Sequence, residues 1–86
     1  MGMDTVELVM AIEAEFKIEI SDADAPKLER AGDLADYVVK ALRERGETPD
    51  EAQVWEHVCR VVVEQSGVRP EKVVRSAYFV KDLGMD

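Results

Sequence analysis

Two side chains of this 86-residue chain, His57 and Cys59, are of the types that do nucleophilic chemistry. An imidazole that activates a thiol must lie within hydrogen-bond reach of it, with a third group orienting the base. On a helix, positions two apart point away from each other. No second base or oxyanion donor is evident in the sequence. We read both as surface or edge residues of a structural helix and expect no catalytic residues. Asp22 and Asp24 have the spacing of the first two ligands of a calcium loop, but the sixth position is Lys27 rather than glycine. The twelfth lacks the bidentate glutamate. No metal site is expected, beyond loose divalent binding by charge alone.

A different chemistry, that of docking, is written into the first helical stretch. Val6 and Met10 lie on another stripe from Leu8 and Ile12, and Glu7 and Glu13 flank them. A small domain buries only part of such a helix, so an exposed Val/Met stripe bordered by acids makes a docking surface. The plainer alternative is that Val6 and Met10 sit at the edge of the core. Six of the eight net negative charges fall in residues 1–24. A field of one sign repels nucleic acid and anionic membranes, and it steers in a protein with a basic patch. The bland reading of the same acids is a solvated face.

The elements that must hold these residues follow from periodicity and punctuation. Residues 4–17 predict a helix with Leu8, Ile12 and Phe16 inward and Asp4 as N-cap or first-turn acid. Ile18 to Ile20 read as an extended link. Ser21 to Asp24 offer caps for a brief helix around 22–29, ended by Gly32. Asp33 is then expected to cap a helix over 33–45 with Leu34, Tyr37, Val38, Ala41 and Leu42 inward, and Gly46 to stop it. Gly46 to Asp50 read as a linker. A further helix runs from Asp50 and Glu51 to about Ser66, with Val54, Val58, Val61, Val62 and Gln65 at helical spacing and Gly67 as its stop. Residues 67–86 predict a long loop with one turn near 70–75. It would pack through Val68, Val73, Val74, Ala77, Phe79, Val80 and Leu83.

Length is consistent with one domain, and the helical spacings above make it all-α. Hydrophobic residues make up 47% of the chain, enough for a packed core. No apolar run approaches a membrane span, and no leader pattern is present. The single cysteine cannot form an internal disulfide, so nothing requires an oxidising compartment. We expect a cytoplasmic protein.

Two segments far apart in sequence carry a family resemblance. Residues 81–86 are KDLGMD and residues 3–10 are MDTVELVM. Read tail to head, they resemble the segment around the prosthetic-group serine of acyl carrier proteins, D-L-G-x-D-S-L-D-x-V-E-L-V-M. The motifs EAEF, AGDLADYV, EQSGV and SAYFVKDLG extend the likeness over almost the whole chain, in circularly permuted order. Residues 1–45 are similar to the family's second to fourth helices. Residues 51–86 are similar to its first helix and long loop, with 46–50 as the new junction. The resemblance implies an acyl-carrier-like four-helix bundle, three helices longer and one short.

It also implies a role. The family carries acyl chains on a 4'-phosphopantetheine arm among the enzymes of fatty acid and polyketide biosynthesis. Asp4, Glu7 and Glu13 match the acids of its recognition helix, and Val6 and Met10 match its exposed apolar contacts. Asp86 matches the Asp before the modified serine, and Gly2 takes the place of that serine, with Asp4 on its other side. Glycine has no hydroxyl, so no phosphodiester forms there, and no cofactor is expected in this chain. Ser21, Ser66 and Ser76 occupy other motif positions. The expected partners are basic patches of fatty acid or polyketide synthesis enzymes and phosphopantetheinyl transferase, with no nucleic acid and no membrane. Three readings stay open: a non-catalytic, apo-like carrier fold, divergent or engineered; a working carrier whose serine lies in a longer or tandem parent chain; and a dimer swapped through the 46–50 linker. The Gly and Pro of that linker favour a monomer.

Overall fold

A computed structural model describes residues 3–85, with side chains described from Thr5 to Met85. Gly2 and Asp86, and the side chain of Asp4, lie outside the described residues. The structure is a small helical domain. Helix α1 spans Met3–Phe16, α2 spans Ala31–Glu44 and α3 spans Glu51–Ser66, with 3-10 turns at Ala25–Lys27 and Pro70–Lys72. Among the described residues there is no strand, only an isolated antiparallel bridge between Arg30 and Tyr78. No described helix is long and apolar enough to cross a membrane.

Helix α3 is the centre of the packing. It contacts both α1 and α2, which make little contact with each other. Its Val54, Val58, Val61 and Val62 are buried together with Leu8 and Ile12 of α1 and Leu34, Val38 and Leu42 of α2. The β-branched run 61–63 is helical despite its strand propensity, because burial on one stripe outweighs a propensity difference of a few tenths of a kcal/mol per residue. Gln65, expected on the inner face, is exposed. The Asp50 carboxylate accepts the amides of Ala52 and Gln53 at the start of α3, and Gly67 ends the helix at φ 75°. Across the α1/α3 seam, the Glu15 carboxylate meets His57 Nε2 and accepts from Arg60 at 2.9 Å.

Helix α2 starts two residues earlier than Asp33 suggests. Asp33 lies inside the helix and reaches back to the Arg30 amide at 3.2 Å. The first free amides find distant partners: Ala31 N–H donates to the Ala77 carbonyl at 3.0 Å, and Gly32 N–H to the Arg75 carbonyl at 2.9 Å. Gly32 is therefore not a helix stop but a buried point of close approach. The preceding helix expected at 22–29 shrinks to the 3-10 turn Ala25–Lys27. Pro26 has no amide to donate, and the chain beyond it turns outward to pair with the long loop, where Phe79 N–H donates to the Glu29 carbonyl at 2.9 Å.

The long loop is packed, though not through all the residues expected. Val73, Ala77, Phe79 and Leu83 are buried, whereas Val74 and Val80 are half exposed. Met85 replaces them in the core, being 1% exposed, and its amide donates to the Phe79 carbonyl at 2.8 Å.

The Tyr37 hydroxyl of α2 donates to the Asp24 carboxylate at 2.9 Å. That bond, followed by one from Ser21, holds Asp24 below the ordinary carboxylate value. A carboxyl whose folded pKa is depressed stabilises the fold above its unfolded pKa, and the contribution is lost as pH falls through the folded one. Thermal melts between about pH 5 and pH 2 should therefore show a smaller loss of stability in Tyr37→Phe than in the parent. Equal losses would show that the pair is not coupled.

Candidate functional site

Helix α1 carries two faces. Thr5, Leu8 and Ile12 are buried, and Val9 and Phe16 pack at the edge of the same core. At about 100° per residue, Val6, Met10 and Glu13 fall within about 60° of one another on the outer side, with Glu7 on their flank. Val6 is 43% exposed and Met10 62%. Exposing a methionine to that extent forgoes the burial that usually places this residue inside. The sequence expectation that these two lie outside the core therefore holds in the structure.

The acids around the stripe are not equivalent. Glu7 is exposed. Glu13 is half-buried, and its carboxylate accepts the Ile20 amide at 2.9 Å, tying the link that follows α1 to the helix. Its charge remains on this side of α1, but its oxygen is already engaged. The end of α1 is fixed by long-range bonds as well. Arg45 donates to the Phe16 carbonyl at 3.3 Å and also to that of Lys17, satisfying carbonyls that a helix end leaves free. As a cation at the end of its own helix, Arg45 is also well placed for that helix's dipole. Its distance in sequence, 28 residues from Lys17, hid the bonds to the end of α1.

Beside the start of α1 lies an open groove of about 360 Å³, lined by Thr5, Pro26, Leu28, Phe79 and Val80 among others. Two cations lie by the ring of Tyr78, one of its lining residues: the Arg30 guanidinium sits 4.5 Å from the ring centroid and the Lys81 ammonium 5.9 Å. The groove has one wall from residues 5 and 25–29 and another from 78–81. The segment leading into KDLGM and the segment DTVEL are thus spatial neighbours, although more than 70 residues separate Thr5 from Phe79.

His57 and Cys59 are not brought into one constellation. His57 is turned to Glu15 and Arg60, with Phe16 edge-on at 5.1 Å. Cys59 packs against the core, and burial, with Glu56 adding to it, pushes its thiol pKa up. The thiolate is the reactive form, so alkylation of the folded protein at mildly alkaline pH should run several-fold slower than in guanidinium. Equal rates would mean that the thiol is freely exposed. Among the described residues no group of three His, Cys, Asp or Glu could hold a metal ion.

The three serines lie in different local settings. Ser66 Oγ donates to the Val62 carbonyl at 2.7 Å, and Ser21 Oγ accepts the Asp24 amide at 3.2 Å. Ser76 is exposed in a turn of the long loop. No family model and no solved structure matches this chain.

Proposed function

We propose that the chain is an acyl-carrier-like docking module: a non-catalytic, circularly permuted relative of the carrier fold that binds carrier-recognising enzymes through α1 and carries no arm of its own. The observation that supports it best is the outer face of α1. Val6 and Met10 are exposed on a helix whose opposite face is locked into the core, and acids border them. Such a surface suits a partner with an apolar cleft rimmed by Lys and Arg, as basic enzymes of fatty acid or polyketide synthesis and phosphopantetheinyl transferases would present.

Two further features fit. Thr5, of the DTVEL segment, and Lys81, at the start of KDLGM, line one groove, which supports reading the two segments as one interrupted motif. The 3-10 turn Ala25–Lys27 lies within the 22–29 stretch that the carrier reading assigns to a short helix, and is compatible with that reading. In that reading the groove is the remnant of the entrance through which a carried acyl chain would reach the bundle interior.

The test is a titration against a phosphopantetheinyl transferase at several salt concentrations. Binding that weakens steadily with salt is expected, because exposed charges are screened beyond about 10 Å at 0.1 M. With coenzyme A added, the mass of the chain should stay unchanged. A gain of the arm's mass would overturn the arm-free half of the proposal, and absence of binding at low salt would overturn the docking half.

A further inference from the structure

We propose that a second copy of this chain is a partner: residues 51–85 exchange as a unit between two molecules, with residues 46–50 as the hinge. The inference rests on the division of the core and not on the carrier reading.

Neither half of the chain buries its apolar surface alone. Leu8, Ile12 and Val38 lie before the hinge and Val58, Val62 and Met85 after it, and all six are at most 1% exposed in one shared core. Because α1 and α2 make little contact with each other, the first half loses the main partner of its apolar faces without α3. The backbone bonds from Ala31 to Ala77, from Gly32 to Arg75 and from Phe79 to Glu29 also run between the halves. In an exchanged pair every one of these contacts reforms between copies, and only the hinge differs.

The hinge makes only local contacts: Gly46 N–H donates to the Arg43 carbonyl at 3.0 Å, Glu47 pairs with Arg45, and Asp50 caps α3, all within a few residues. Residues 46–48 and 50 are exposed. Across it run an exposed ion pair, Arg43 to Glu51 at 3.3 Å, and the turn closed by Glu47 N–H on the Leu42 carbonyl at 3.0 Å. That turn requires Gly46 at φ 93°. A Cβ placed on Gly46 would meet nothing within 4 Å. A substitution there acts only through the backbone, against the closed turn and not against the open one. Opened, five residues span roughly 17 Å, enough to pass α3 to a neighbour.

Magnitudes set which form dominates. A short linker gives the two halves of one chain an effective concentration in the millimolar range, so the parent is a monomer in dilute solution. Forcing a β-branched residue into the left-handed region disfavours the closed turn by roughly five- to thirty-fold. The exchanged pair relieves two such turns, so Gly46→Val should strengthen dimerisation by roughly 25- to 1000-fold.

Two experiments decide. Sedimentation across a concentration series should show Gly46→Val dimerising far below the concentration at which the parent does, and lengthening its hinge with Gly-Ser residues should return it to monomer. Independently, full-length chains carrying Ile12→Asp and Val58→Asp should each fail to fold alone. Refolded together, they should recover a helical circular dichroism spectrum at the mass of a dimer, because one globule then combines the intact first half of one with the intact second half of the other. A folded Gly46→Val protein that stays monomeric wherever the parent does overturns the proposal. If that variant does not fold, complementation decides alone, and a mixture that stays unfolded overturns it.

Discussion

Gly32→Val is expected to destabilise the protein by about 2–4 kcal/mol and to lower Tm by roughly 10–30 °C. A Cβ on Gly32 would stand 2.8 Å from the Arg75 carbonyl oxygen and 3.2 Å from Arg75 Cβ. The first of these is a backbone atom and cannot swing aside. The carbonyl is also the acceptor for the Gly32 amide, so moving it away breaks that bond and strains the neighbouring one from Ala31 to Ala77. Both cap the start of α2, and with them goes the anchoring of the loop that buries Phe79, Leu83 and Met85. Arg75 also pairs with Asp36 at 2.6 Å and lies 5.5 Å from the Trp55 ring centroid, so its displacement disturbs α2 and α3 together. Thermal or urea unfolding measures the loss. A variant within a couple of degrees of the parent would show that the loop is not held by this contact.

The second large effect is on binding. Met10→Ala should weaken the complex with a basic carrier-recognising enzyme by roughly 5- to 30-fold, the effect of truncating an apolar anchor that becomes buried on docking. Glu7→Lys should act chiefly on the association rate and flatten its salt dependence, as expected for a charge at the rim. Both residues are exposed, so neither change should alter the circular dichroism spectrum or Tm appreciably. Val74→Ala offers a control, being 50% exposed but outside α1, and should leave the affinity unchanged. If Met10→Ala and Glu7→Lys both bind as the parent does, α1 is not the docking face.

Sequence reading reached the helices through local signals. The Leu8/Ile12 stripe, Asp50 at the start of α3 and the glycines at 46 and 67 all act within a turn or two of their own positions, and each does so in the structure. What it missed depends on partners far along the chain. Asp33 has the right chemistry for a cap, but carbonyls from residues 75 and 77 take that end of α2, and Asp33 becomes an interior residue. Gly32 has the type of a helix stop, yet its missing side chain serves the approach of Arg75. The brief helix near Pro26 yields to pairing with the loop around Tyr78. Val74 and Val80 could not be told from Val73 and Phe79 by type alone. In an irregular segment no periodicity says which side faces in.

The exposed stripe of α1 was legible for the opposite reason. On a regular helix, an apolar residue off the core stripe has to face outward, and Val6 and Met10 do. The role of Glu13 was only half visible. Its place on the helix follows from periodicity, but its bond to the Ile20 amide depends on how the chain turns after Lys17, a non-glycine residue at φ 55°.

The central claim is that α1 presents an acidic, apolar docking face to carrier-recognising enzymes. The most direct measurement is a two-dimensional amide NMR titration of the labelled protein with a basic ketoacyl synthase or phosphopantetheinyl transferase at low salt. The account predicts that perturbed resonances concentrate on Val6, Glu7, Met10 and their neighbours on α1, and that they return to their free positions as salt is raised. Perturbations confined to α2 or α3, or none at saturating enzyme, would contradict it.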